Sequence, residues 1–282
     1  MPFLSAAQKS QYEAEGFVLL PAVFSGEECA AMAAAAERAA QSVAGGSAMG
    51  GGWGGAWRED LIAGEDAENS KLLSIHDMQF HDAVFASVLL DERLTEPCAE
   101  VIGPDIELHH VKYHEKPPAT GTPFPMHMDY FYFPHERNTM TAYVIFIDEA
   151  TIENGCLCVY PGSHVQPIPD EAPDGKYLPP QDYPLEAATP CPAPAGSVLM
   201  FNYRTIHGSY PNKSDAVRRM ILYQVRAPDD HPLDKAHRSR GQGMMLRGSS
   251  SCPGAGSLGL PPAGSRVTTE AVAEGAQSPA KL

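Results

Sequence analysis

The chain has 282 residues, 43% hydrophobic and 20% charged, with a formal net charge of −15. Those figures describe a globular domain with a sizeable core, and the acidic balance excludes a nucleic-acid backbone binder, which needs a basic footprint. No stretch approaches the roughly 20 apolar residues of a membrane span, and no basic-then-apolar leader opens the chain.

Ser5-Ala6-Ala7-Gln8 reads as a capping box opening a short helix that stops at Gly16. Phe17–Leu20 is a short strand. Ser25-Gly26-Glu27-Glu28 is a second capping box, opening an alanine-rich helix to about Val43. Residues 44–56 form a glycine-rich loop, with Trp53 inside it and Trp57 beside it. Residues 70–102 are expected to be helical, with apolar positions at Leu72, Ile75, Phe80, Val84, Phe85, Leu94 and Val101.

From Ile106 the apolar period changes to two. Ile106–His114, Met140–Asp148, Cys156–Tyr160, Ser197–Tyr203 and Arg219–Arg226 read as strands. Asn154-Gly155 is a turn between two of them, and a proline-rich excursion covers 167–194. Helices followed by antiparallel strands predict an α+β, mainly β fold: a jelly roll or barrel on an N-terminal helical layer. The expected division is one domain over 1–246, with a helical layer at 1–104 and the β core at 105–230. A disordered tail follows over 247–282. The six cysteines are scattered, and Cys156-x-Cys158 has the wrong spacing for a zinc pair, so both read as small apolar residues.

The chemistry concentrates in PFPMHMDYFYFP, residues 123–134. On a strand, His127 and Asp129 share a face, while Met128 faces away. Tyr130–Phe133 would alternate, half packing in the core and half lining a pocket. A distant His207, just after the strand Ser197–Tyr203, would complete a set of two histidines and one carboxylate. That set suits non-haem Fe(II) and leaves coordination positions open. Arg218, eleven residues beyond His207, offers a planar fork for the far carboxylate of a 2-oxo acid, and Ser209 a hydroxyl for the same group.

With Lys116–Pro118, HMDYFYFP, ENGCLCVYPGSH (Glu153–His164) and HGSYPNKSDAVRRM (His207–Met220), the chain resembles the phytanoyl-CoA hydroxylase family of Fe(II)/2-oxoglutarate oxygenases, over roughly residues 8–230. The resemblance implies a double-stranded β-helix, iron ligands at His127, Asp129 and His207, and 2-oxoglutarate held by Arg218 and Ser209. Lys71 and Lys112 would add to that grip. It implies consumption of O2 and release of succinate and CO2 as a small molecule or acyl-CoA is hydroxylated. Alternatives are a jelly roll that binds metal or ligand without turnover, or a zinc-dependent hydrolase or isomerase on the same ligands. His164 reads as a loop-ordering residue, Arg219 as an ion-pair partner, and His110 and His114 as sharing a face with Lys112. The expected location is cytoplasmic, or the peroxisomal matrix in a eukaryote, because Ala280-Lys281-Leu282 resembles S-K-L.

Overall fold

The computed structural model describes residues 2–43, 73–170, 176–233 and 239–249. Trp53, Trp57, Lys71, Cys252 and the terminal Ala280-Lys281-Leu282 lie outside them.

Helix α1 (Ala6–Glu15) is opened by the Ser5/Gln8 capping box and ends at Gly16 in the left-handed region, φ 81°. Strand β1 (Phe17–Leu20) leads to α2 (Gly26–Val43), whose Ser25 and Glu28 cap one another reciprocally. Met32, Ala35, Ala36 and Ala39 recur at helical spacing and are buried. The expected helical stretch at 70–102 is only partly helical. It contains strand β2 (Leu73–His76), a 3-10 turn over Met78–Phe80, α3 (Ala83–Leu89) and α4 (Glu92–Ile102). β2 exists because it pairs with β3 (Ile106–Lys116), Leu73 opposite Glu115 and His76 opposite Lys112. Tertiary pairing has overridden the local apolar spacing here.

The remaining strands are β4 (Phe124–His127), β5 (Thr141–Phe146), β6 (Leu157–Val159), β7 (Thr189–Pro190), β8 (Val198–Asn202), β9 (His207–Ser209), β10 (Arg218–Arg226) and β11 (Met245–Arg247). β11 pairs with β3, and Arg247 bonds Glu96, so ordered structure runs past the expected tail boundary at 247. Among the described residues the larger sheet runs β1-β8-β5-β10-β3-β11, with β2 also on β3. The smaller sheet runs β4-β9-β6-β7. The two antiparallel sheets face one another as a double-stranded β-helix, as expected.

Side-chain alternation sorts the larger sheet into two faces. Val111, Tyr113, Tyr143, Ile145, Met200, Ile221, Tyr223 and Val225 pack in one cluster with the helices. On the other face, Val144, Phe146, Leu199 and Phe201 pack with Leu157 and Val159 of the smaller sheet. Cys156 and Cys158 are free cysteines buried among apolar side chains.

The smaller sheet is held close at Gly208. A Cβ built there would lie 2.6 Å from Met126 Sδ and 2.7 Å from the Phe124 carbonyl oxygen, so β9 must move off β4 to accept one. Gly26, at the exposed start of α2, would meet nothing within 4 Å. Gly208→Ala is therefore expected to cost about 1–3 kcal/mol in chemical denaturation, with Gly26→Ala within about 0.5 kcal/mol of the native chain. Equal effects of the two would contradict a close approach at Gly208.

Candidate metal centre and co-substrate cavity

β4 and β9 pair antiparallel with His127 opposite His207. The strand stops at His127, Met128 remains extended, and Asp129 opens a 3-10 turn over Asp129–Phe131. The extended Met128 keeps His127 and Asp129 on one side while its own buried side chain packs with Met126 and Cys158. The turn changes the residues that follow: Tyr132 and Phe133 both line the cavity, so the expected alternation over Tyr130–Phe133 is not observed. A 3-10 turn does not carry the two-residue period of a strand.

His127, Asp129 and His207 are all buried, and their ligand atoms lie within 4.8 Å of one another. Asp129 Oδ1 is 3.7 Å from His127 Nε2 and 3.8 Å from His207 Nε2. Each imidazole donates from Nδ1 to a backbone carbonyl two residues upstream, His127 to Pro125 and His207 to Thr205, both at 2.9 Å. Those bonds put the proton on Nδ1 and leave each Nε2 lone pair available to a metal beside Oδ1. Gln224 Nε2 donates to Asp129 Oδ2 at 3.0 Å, occupying the other carboxylate oxygen. Three unprotonated donor atoms thus converge, two nitrogens and one oxygen, which fits a divalent first-row metal with open positions. Burial pushes the Asp129 carboxyl up, but His207, His127 and the Gln224 amide hold it well below the usual range. Burial pushes His207 down to about 4, with the neighbouring His127 ring acting in the same direction and the Asp129 carboxylate opposing it.

A cavity of about 370 Å³ opens between the sheets at this cluster. Its wall is two paired rows from the inner face of the larger sheet. β10 supplies Arg218, Met220, Leu222 and Gln224, and β3 supplies His110, Lys112, His114 and Lys116. The register places Arg218 opposite Lys116 and Leu222 opposite Lys112.

Arg218 is fully buried. Its Nη2 donates to the Gly155 carbonyl at 3.0 Å, while Nε and Nη1 have no partner among the described residues. Burial pushes its pKa down to about 10. A buried guanidinium with two unused donors is a cradle for an oxyanion. Ser209 is buried near it and accepts from Lys116 Nζ at 2.7 Å; Lys116 also reaches the Tyr210 carbonyl. Burial, then Arg218's charge, holds the Lys116 ammonium well below its usual pKa.

Of the other expected residues, Lys112 lines the cavity at the metal end, four residues from Lys116. Arg219 pairs with Asp148 and Glu37, and His164 donates to the Glu13 carbonyl. Sequence reasoning missed the places of Lys116 and Gln224, although both share a strand face with residues it chose.

The fold and site define the class of jelly-roll proteins that pair a two-histidine, one-carboxylate centre with an arginine-lined cavity. The model of the phytanoyl-CoA dioxygenase family matches residues 12–220, and the chain belongs to that family. A relative named probable alpha-ketoglutarate-dependent hypophosphite dioxygenase, from Stutzerimonas stutzeri, is 30% identical over 60% of this chain; the match spans 62% of that relative's length. Ectoine dioxygenase of Stutzerimonas stutzeri (strain A1501) is 26% identical over 80% of this chain and 78% of its own. Among solved structures, EctD from S. alaskensis with 2-oxoglutarate and 5-hydroxyectoine superposes with a TM-score of 0.67. It is 21% identical and covers 88% of this chain and 86% of that one, a likeness of fold.

The buried imidazoles have a consequence for stability. Burial pushes His76 down to about 4 and holds His114 and His164 below their ordinary 6.5. The unfolded chain therefore takes up protons first as pH falls. Their stabilising contribution is complete above about pH 6.5 and is lost toward pH 4. Carboxylates with lowered pKa, such as Glu28 at about 2, add losses only below about pH 4.5. Glu107 and Asp77, raised by burial, run the other way nearer the carboxylate range. The Tm of the metal-free protein is expected to fall steadily from pH 7 to pH 5; a flat profile in that window would contradict neutral buried imidazoles.

Proposed function

We propose that this protein is an Fe(II)- and 2-oxoglutarate-dependent oxygenase that hydroxylates an unactivated C–H bond of a small molecule. One observation carries the reading: three metal donors, each fixed by a hydrogen bond on its other atom, share a cavity with a buried guanidinium that has unused donors. His127, Asp129 and His207 would hold the metal. Arg218 and the Ser209 hydroxyl would hold the distal carboxylate of 2-oxoglutarate, with Lys116 orienting that hydroxyl. When bound, the metal would activate O2, the oxidant, with 2-oxoglutarate supplying two of the four electrons as it is converted to succinate and CO2 and the substrate C–H bond supplying the other two.

The chain's own residues bind, orient and exclude water. Pro125 and Thr205 keep the two imidazoles in the tautomer that presents Nε2. Gln224 keeps Asp129 from presenting both oxygens to the metal. Phe124, Phe201, Leu157 and Met220 surround the polar groups with apolar wall, which strengthens the Arg218 interaction by lowering the local dielectric. The relatives named above act, by their names, on hypophosphite and on ectoine. The cavity volume favours a substrate in that small range over a whole acyl-CoA. Among the described residues no helix is long and apolar enough to cross a membrane.

The test is anaerobic reconstitution with Fe(II), followed by titration with 2-oxoglutarate and detection of the visible charge-transfer band of the chelate. The native protein is expected to give a saturable band. Arg218→Ala should weaken 2-oxoglutarate binding at least about tenfold, the scale of a charge-assisted pair. Asp129→Ala should abolish the band. Iron bound without a band would instead favour a non-oxidative binding protein, and retained zinc with oxygen-independent turnover a hydrolase or isomerase.

A further inference from the structure

The charges in the cavity do not balance. Its lining carries three cationic side chains, Lys112, Lys116 and Arg218, and one carboxylate, Asp129, in a chain whose net charge is −15. The proposed cofactors account for part of this. A divalent metal, Asp129, the two carboxylates of 2-oxoglutarate and the Arg218 guanidinium together sum to zero. Lys116 is engaged by Ser209 and the Tyr210 carbonyl, and its burial disfavours the charge. Lys112 is left over.

Lys112 is not placed to share the work of Arg218. Four residues of strand, roughly 13 Å, separate it from Lys116, the lysine opposite Arg218. It lies instead opposite Leu222, two paired positions from Gln224 and His110 on the same face, at the metal end of the cavity. It is partly buried and forms no hydrogen bond or ion pair among the described residues. The Asp129 carboxylate acts on it only at longer range, against the desolvation that lowers its pKa. Its neighbour across the strand pair is His76, which also lines the cavity and stays neutral near pH 7. A neutral imidazole can donate one N–H to the anion a lysine attracts. Lys176 lies over the face of Tyr132 at 5.5 Å, adding a cation beside the same wall. An ammonium drawn out of water without a partner is costly unless the ligand supplies the counter-charge.

We propose that Lys112, with His76 beside it, anchors a singly charged anionic group on the substrate, so that this enzyme oxidises a small organic acid. This rests on the oxygenase reading, which places the metal and 2-oxoglutarate and so leaves Lys112 for the substrate. The anion seats next to the metal-binding cluster, which brings carbon a bond or two from the acid group to the reacting position. A neutral or cationic substrate of the same size would leave Lys112 buried and uncompensated.

The probe is acetate, with acetamide as its uncharged counterpart. Both are titrated against the zinc-substituted protein saturated with 2-oxoglutarate, and the methyl resonance is followed by saturation-transfer NMR. The native protein is expected to bind acetate at least tenfold more tightly than acetamide. Lys112→Gln should remove that difference and Lys112→Arg should keep it, while 2-oxoglutarate affinity stays within twofold in both variants. Unchanged acetate preference in Lys112→Gln would overturn the proposal. So would a tenfold loss of 2-oxoglutarate affinity in that variant, which would give Lys112 to the co-substrate. If the native protein binds no 2-oxoglutarate, the oxygenase reading fails separately. The same acetate titration on the metal-free protein then decides: a preference lost in Lys112→Gln supports the anion site, and a preference retained sinks it.

Discussion

Hydrogen bonds tie the sheets together across the cavity, and the site depends on two of them in particular. At one end Gln224 of the larger sheet donates to Asp129, on the turn that leaves the smaller sheet. At the other end Lys116 of the larger sheet donates to Ser209 of the smaller. Between them lie the converging donor atoms and the row that ends in Arg218. Lys116 and Arg218 also reach the Tyr210 and Gly155 carbonyls, and the cross-sheet packing through Val144, Phe146, Leu199, Leu157 and Val159 is apolar and largely non-directional. The polar ties give the cavity a defined width, because a hydrogen bond tolerates only a few tenths of an ångström.

The sheets also divide the chemistry. The smaller sheet and its turn contribute all three candidate metal ligands, and the larger sheet contributes every cavity lysine and the arginine. The division follows from chain geometry. Long strands such as β3 and β10 present a residue every second position, so they can spread charges along a cavity. Short strands held close at Gly208 instead bring His127 and His207 to a ring separation of 4.1 Å. Convergence on a metal needs the second arrangement, and an extended dicarboxylate needs the first.

Much of this was legible in the chain. His127-x-Asp129 announced a shared face, and the spacing to His207 and Arg218 gave the set its meaning. β1 and both capping boxes could be read because their signals are local. β2 could not, because Leu72 and Ile75 fit a helical spacing and only pairing with β3 makes Leu73–His76 a strand. The Tyr132–Phe133 pair was misread because the strand period was carried past His127 into a turn. Lys116 sat in plain view before Pro117, but its partner Ser209 is 93 residues away. Gln224 did leave a signal: it has the same parity as Arg218 on one strand, and so the same face.

Stability and function pull against each other along that face. Arg218 keeps two donors unused and Gln224 keeps Oε1 unpaired among the described residues, each a loss the folded chain carries before any ligand binds. The outer face of the same strand offsets it, since Ile221, Tyr223 and Val225 are nearly fully buried against the helical layer. One strand thus carries part of a large apolar cluster on one side and unsatisfied polar groups on the other. The helical layer is needed for that reason. Without its apolar contacts on the outer face, the inner row of cations would have nothing to hold it out of water, and a cavity able to desolvate an anion could not stay formed.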